Sequence, residues 1–271
     1  MKMAMRGTAI AVLASAAVVL GLAYGAAVRS YARAQGEAGA KGDVTLIAPG
    51  GIRAPIEQLI PAFESKTGYK VKATFGSGGG THKQVVQGDA FDVPVVQPPY
   101  QDVLDSGNVV ASSERPLASV AVGVAVRKGA PKPDISTPEA LKKTLLAAKS
   151  IAYPDAAAGA AAGVSVEAML KKLGIADQIQ AKIQRAQGGA GAMAAVAKGN
   201  AEIGMTFLSE MEDPGIDVAG PLPSAACPPT RLVGFVSTHA KSPEGAKELL
   251  AFLSSKQAAA AYKAQHMMPG K

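Results

Sequence analysis

Short apolar runs alternate along the chain with stretches whose apolar residues recur at helical spacing, and that alternation predicts an α/β fold. Val44–Ala48 reads as a strand and stops at the breaker Pro49-Gly50-Gly51. Ile52–Ser65 follows with apolar residues at 52, 56, 59, 60 and 63, a helical spacing closed by Gly68. Val71–Phe75 predicts a second strand, running into Gly76-Ser77-Gly78-Gly79-Gly80 and a helix with Thr81 as N-cap. Phe91–Val96 reads as a third strand, and Tyr100–Leu104 as the start of a helix. Ser119–Val126 is a longer β run, ended by the proline-rich turn at Gly129–Pro133. Thr137 caps a helix over Pro138–Ala148, with proline at its first position. Ile151–Pro154, Ala201–Phe207 and Leu232–Ser237 read as further strands. Ser165–Leu173, Ala190–Lys198, Pro243–Ser254 and Gln257–Ala264 read as helices. Strands alternating with helices predict parallel sheets.

The first 34 residues follow a different pattern. Lys2 and Arg6 precede an uncharged apolar run from Gly7 to Val28, and Ala32-Arg33-Ala34 ends the segment. A positive head, an apolar middle and an A-x-A tail form the layout of a secretory signal peptide, here residues 1–34, which places the mature chain in the periplasm. An uncleaved membrane anchor is the competing reading, because about 20 apolar residues span a bilayer. The run is rich in Ala and Gly rather than Leu and Ile, which favours the cleaved leader.

Removing the leader changes the charge. The whole chain carries a net +7, but Lys2, Arg6, Arg29 and Arg33 leave with residues 1–34, so 24 basic residues face 21 acidic ones. That small excess gives no reason to expect nucleic acid as a partner. Cys227 is the single cysteine, so no internal disulfide forms and the core alone holds the fold. A mature chain of about 237 residues exceeds the usual single-core size, which points to two lobes. Aromatic residues are few and tryptophan is absent, which argues against a stacking platform for sugars or bases.

Three glycine- or alanine-rich turns join strands to helices: Pro49–Gly51, Gly76–Gly80 and Ala156–Gly163. Such turns lie at the carboxyl ends of parallel strands, where α/β sheets bind ligands. Bare backbone there lets N–H groups approach a ligand, and the following helix adds free donors and the positive end of its dipole. Together these predict a site for a small anion. The segment Gly76–Lys83 (GSGGGTHK) lacks the phosphate-loop order, and no dinucleotide fingerprint fits. His82, His239 and His266 lie far apart without metal-ligand spacing, so neither a metal nor another cofactor is expected. No G-x-S-x-G elbow is present to mark a hydrolase.

These turns, in this order, resemble the periplasmic molybdate-binding proteins, a branch of the type II solute-binding proteins served by ABC transporters. The segments that carry the resemblance are Val44–Ile52, Thr74–Gly88 with Asp92, Pro154–Leu170, Ala192–Ser209 and the ending Glu248–Gly270. The resemblance implies two α/β lobes, residues 43–118 with 231–271 and residues 119–230, closing about a hinge on an anion. It further implies a monomer that presents its ligand to an inner-membrane ABC permease. Counting the residues beside the matched positions, the expected ligand set is Gly50, Gly51, Ile52 and Arg53 from the first loop and Ser77, Gly78, Gly79, Thr81 and His82 from the second. Ala162 and Gly189 supply backbone donors, and Phe207 completes the set.

The family's hydroxyl donors are missing at their own positions. Its two loop serines align with Gly51 and Gly78, and its later tyrosine aligns with Phe207. A tetrahedral dianion would forgo hydrogen bonds worth roughly 1.5–3 kcal/mol each. Arg53, His82 and Lys83 instead stand beside the first two loops, and charged side chains suit carboxylates. The pattern resembles a divergent subgroup that handles organic anions, so a small carboxylate is the expected ligand. Aconitate isomerase is one activity of that neighbourhood, and the segments Val126–Ala130, Lys149–Pro154 and Ala201–Ser209 are similar to it. An isomerase needs a group that removes and returns an allylic proton, for which His82 and Lys83 are the candidates, with Glu210 a third.

Overall fold

The computed structural model describes residues 41–270, so the expected leader and its cleavage point lie outside the described residues. Strands β1 (Gly42–Pro49), β2 (Tyr69–Gly76), β3 (Val93–Val96) and β4 (Arg115–Val120) open the first sheet. The chain then builds a second sheet from β5 (Val122–Arg127), β6 (Ile151–Pro154), β7 (Ile183–Ala186), β8 (Ile203–Phe207) and β9 (Ile216–Pro221). It returns to the first with β10 (Thr230–Gly234) and β11 (Met267–Pro269). The strand orders are β11-β4-β10-β3-β1-β2 and β7-β6-β8-β5-β9. Helices α1 (Arg53–Thr67), α2 (Gly78–Val86) and α3 (Gln101–Asp105) belong to the first pass. Helices α4 (Pro138–Ala147), α5 (Ala161–Lys172), α6 (Ala176–Ile179) and α7 (Gly188–Ala197) accompany the second sheet, and α8 (Pro243–Leu253) and α9 (Lys256–Ala264) close the chain.

Two findings correct the sequence reading. The single β run expected over Ser119–Val126 is two strands in different sheets, parted at Ala121. Val120 and Val122 on either side are apolar and buried, so no polar residue marks the crossover itself. The sheets are also mixed rather than parallel. β1 is parallel to β2 and β3, and β6 to β7 and β8, whereas β4, β5, β9, β10 and β11 pair antiparallel. A chain that crosses between two sheets and comes back enters each from the opposite end, which imposes that mixture.

The parallel pairs position the site. β1 and β2 run in register from Gly42 opposite Tyr69 to Pro49 opposite Gly76, so their following loops leave side by side. β6 and β7 do the same, ending with Pro154 opposite Ala186. Behind the first sheet, α1 buries Ile56, Leu59 and Phe63, and the rings of Phe63 and Phe252 lie 5.5 Å apart. The Tyr262 hydroxyl donates to the Leu253 carbonyl at 2.8 Å and pins α9 to α8. Behind the second sheet, α5 buries Val166, Met169 and Leu170, and α7 buries Met193 and Val196.

A buried carboxylate ties the first sheet to α8. Asp92 accepts the Thr45 amide and hydroxyl, both at 2.7 Å, and the Ser242 amide at 2.8 Å. Burial alone would raise its proton affinity, but the bonds from Thr45 and Ser242 outweigh it and hold the carboxyl below the ordinary range.

Candidate functional site

A cavity of about 580 Å³ opens between the two lobes where the carboxyl ends of these strands converge. Its walls come from the loops after β1, β2, β3, β6, β7 and β8. Helix starts dominate the lining. Gly50 and Gly51 form a single 3-10 turn ahead of α1, with no side-chain cap. Ser77 caps α2, its hydroxyl oxygen accepting the Gly80 amide at 3.0 Å. Ala160 and Gln187 stand at the N-caps of α5 and α7, and neither contributes a side-chain bond. Alanine has no oxygen to offer there, so the first amides of α5 are left for a partner from outside the helix. Several uncapped helix starts around one space create a positive field built from peptide dipoles.

The two lobes already touch at the rim. The Gly79 amide donates to the Gly159 carbonyl at 3.0 Å, and the Ser209 hydroxyl donates to the Gly51 carbonyl at 2.8 Å. Close approach requires Gly78: a methyl group there would collide with Gln97 Oε1 and stand 3.0 Å from the Ala161 side chain. Gly189 is likewise pressed against the Glu210 carboxyl and the Thr206 hydroxyl.

Six polar residues line the cavity, Ser77, Gln97, Asp155, Arg185, Gln187 and Glu210, and four of them bear on its chemistry. Arg185, at the end of β7, donates to the Tyr153 hydroxyl at 2.9 Å and pairs with Glu167 at 3.1 Å and Asp155 at 3.9 Å. Asp155 itself follows β6 and lines the same wall. Glu210 accepts a 2.5 Å bond from the Thr206 hydroxyl; burial raises its proton affinity, and bonds from Thr206 and Phe207 offset this only in part. Gln97, directly after β3, is 8% exposed, and neither its Nε2 nor its Oε1 has a partner.

The described chain matches the model of a family of bacterial extracellular solute-binding proteins over residues 44–268. The chain belongs to that family. It is 33% identical over 233 residues to an aconitate isomerase from Pseudomonas sp., covering 83% of this chain and 87% of that protein. It is 31% identical over 217 residues to the molybdate-binding protein ModA of Azotobacter vinelandii, covering 78% and 84% of the two chains. The solved Azotobacter vinelandii periplasmic molybdate-binding protein superposes with a TM-score of 0.69 at 20% identity, covering 84% of this chain and all of that one. The fold is thus the two-lobed type II solute-binding fold, with its cleft between the lobes.

Within that cleft the structure separates the expected ligand residues into groups. Gly50, Gly51, Ser77, Gly78, Ala162, Gly189 and Phe207 all line the main cavity. Gly79 and His82 line a neighbouring crevice of about 520 Å³ that shares Gly78, Gln97 and Ala161 with it. Ile52 is fully buried in the core. Thr81 is not the cap of α2 but lies inside its first turns, buried, with a hydroxyl that has no partner.

The expected cations go elsewhere. Arg53 lies 5.0 Å over the Phe75 ring and 3.9 Å from Glu57, on the exposed face of α1. His82 Nε2 stands 2.7 Å from Asp102 Oδ2, an arrangement that holds the Asp102 carboxyl below its ordinary range. Lys83 is exposed on α2 and lines neither space. The cation of the cavity is Arg185, which sequence reading passed over. Its only signal is its place two residues before Gln187-Gly188-Gly189, a fourth glycine turn. Gln97 carries no motif at all.

Proposed function

We propose that this protein binds a small organic acid with two or three carboxylates in the interlobe cleft. The observation that carries the reading is the combination of size and lining. Uncapped helix starts and one guanidinium supply the charge for an anion, while Gly51, Gly78 and Phe207 leave no ring of side-chain hydroxyls around a compact oxyanion. A cavity of about 580 Å³ has room for an acid of a dozen or so heavy atoms. A tricarboxylate spreads its charge over several helix starts at once. On this reading the chain is exported by its leader, works as a monomer, closes its lobes on the acid and presents the closed form to an ABC permease.

Titration calorimetry of the mature protein against citrate, molybdate, tungstate and sulfate tests it. Citrate is expected to bind and the tetrahedral oxyanions to bind weakly or not at all. Heat from molybdate alone would sink the carboxylate reading.

A second reading is favoured by Glu210. A half-buried carboxyl with raised proton affinity, held by Thr206 on the cavity wall, suits a group that takes a proton from one carbon of an allylic system and returns it to another. The balance needs no oxidant or cofactor, since the same proton and the same bonding pair are exchanged. The similarity to an aconitate isomerase supports that chemistry. Incubation with trans-aconitate is then expected to yield the cis isomer, and Glu210→Gln to reduce the rate by about 100-fold or more. Absence of conversion by the wild-type protein removes the enzyme and leaves the binder.

A further inference from the structure

The geometry points to Gln97 as the residue that selects the ligand, by requiring an acid that offers a hydrogen-bond donor next to a carboxylate oxygen. This rests on the carboxylate reading and narrows it. Gln97 follows β3, buried at 8% exposure, between the main cavity and the neighbouring crevice, and it lines both. Its amide nitrogen and amide oxygen are both without partners. Because the two ends of an amide are interchangeable by rotation, the demand is the same whichever way it points: one acceptor for the nitrogen and one donor for the oxygen. Buried polar groups are almost always paired, so a fully unpaired amide in the wall shared by two ligand-sized spaces marks a partner that arrives with the ligand.

The position is built rather than accidental. Gly78 is the residue whose absent side chain leaves room for Gln97 Oε1, and any larger residue would push the amide out of place. The charges around it add to the demand. Asp155 and Glu210 share the cavity lining with Arg185, whose guanidinium pairs with Asp155 and Glu167. A ligand that presents only ionised oxygens would leave the Gln97 oxygen unpaired and face two carboxyl groups besides. A hydroxyl beside a carboxylate, or one carboxyl that keeps its proton, supplies a donor and an acceptor on neighbouring atoms and meets the amide edge to edge.

The experiment compares citrate with tricarballylate, its counterpart without the hydroxyl, by calorimetry at neutral pH in two buffers of different ionisation heat. Wild type and Gln97→Leu are titrated side by side. If the hydroxyl is the donor, wild type prefers citrate by roughly tenfold or more and the preference collapses in Gln97→Leu. If a protonated carboxyl is the donor, both acids bind with uptake of a proton, seen as buffer-dependent heat, and the uptake is lost in Gln97→Leu. Equal binding of the two acids without proton uptake overturns the inference, as does a preference that survives in Gln97→Leu. Should the leucine variant fail to melt cooperatively, Gln97→Glu keeps the shape but offers only acceptors when ionised, and is expected to lose the same discrimination. Binding of molybdate with both acids excluded would instead overturn the parent carboxylate reading.

Discussion

Arg185→Met is expected to weaken binding of a di- or tricarboxylate by about 10- to 150-fold. Hydrogen bonds to charged groups are worth about 1.5–3 kcal/mol, and every 1.4 kcal/mol is about a factor of ten in affinity. Arg185 is the guanidinium in the cavity lining, and Tyr153, Glu167 and Asp155 hold it from three sides. Its removal takes away the positive charge of that wall and also leaves Asp155 facing the incoming anion without compensation. Arg185→Lys keeps the charge but loses the planar fork, so an intermediate loss is expected. Because the Arg185 side chain is more than a third exposed, its ion pairs are solvent-screened and the melting midpoint is expected to move little. Calorimetry on the two variants, with thermal melts alongside, separates the binding loss from a folding defect. Unchanged affinity in Arg185→Met would remove Arg185 from the site.

Gly163→Ala is expected to cost about 3 kcal/mol or more of stability, with binding lost together with it. Gly163 sits in the first turn of α5, and a methyl group there would meet the Pro154 carbonyl and stand 2.9 Å from the Ala156 amide. These are backbone atoms of the β6 end and its loop, which cannot swing aside like a side chain. The collision is relieved only by lifting the start of α5 from the sheet, and that start carries Ala161 and Ala162 to the cavity wall. Gly191→Ala is the matched control. Its methyl would find only ordinary contacts, the nearest at 3.6 Å to Ala186, and alanine gains up to about 1 kcal/mol over glycine inside a helix. Urea unfolding is expected to show a lower midpoint for Gly163→Ala and an equal or higher one for Gly191→Ala. Equal midpoints for the two variants would contradict the close-packing explanation.

The parts of this molecule that sequence reading found are those whose signal is local. Strand runs such as Val44–Ala48 and helical spacing such as Ile52–Ser65 come through because burial on one face leaves a period in the residue pattern. The glycine turns come through because a bare backbone is itself a residue choice. The helix starts did not: α2, α5 and α7 begin at Gly78, Ala161 and Gly188, several residues before the expected points at two of them. Glycine is a poor helix former, so its presence in a first turn argues against a helix until the neighbouring lobe is known to need that space. The crossover at Ala121 was hidden for a similar reason, since Val120 and Val122 on either side are both buried and apolar. Arg185 and Gln97 were missed because neither sits in a motif. Their roles arise from strands 88 residues apart in sequence ending on facing walls, which no local pattern encodes. Arg53 and Lys83 show the converse: both stand next to the right loops in sequence, and helical geometry turns them to solvent.

The most direct test is a crystal structure of the mature protein grown with citrate. Carboxylate oxygens are expected within about 3 Å of the first amides of α5 and α7, with Arg185 and Gln97 in contact with the acid. Citrate seated outside the interlobe cavity, or inside it but turned away from those helix starts, would contradict the central claim that peptide amides of two facing lobes hold the anion.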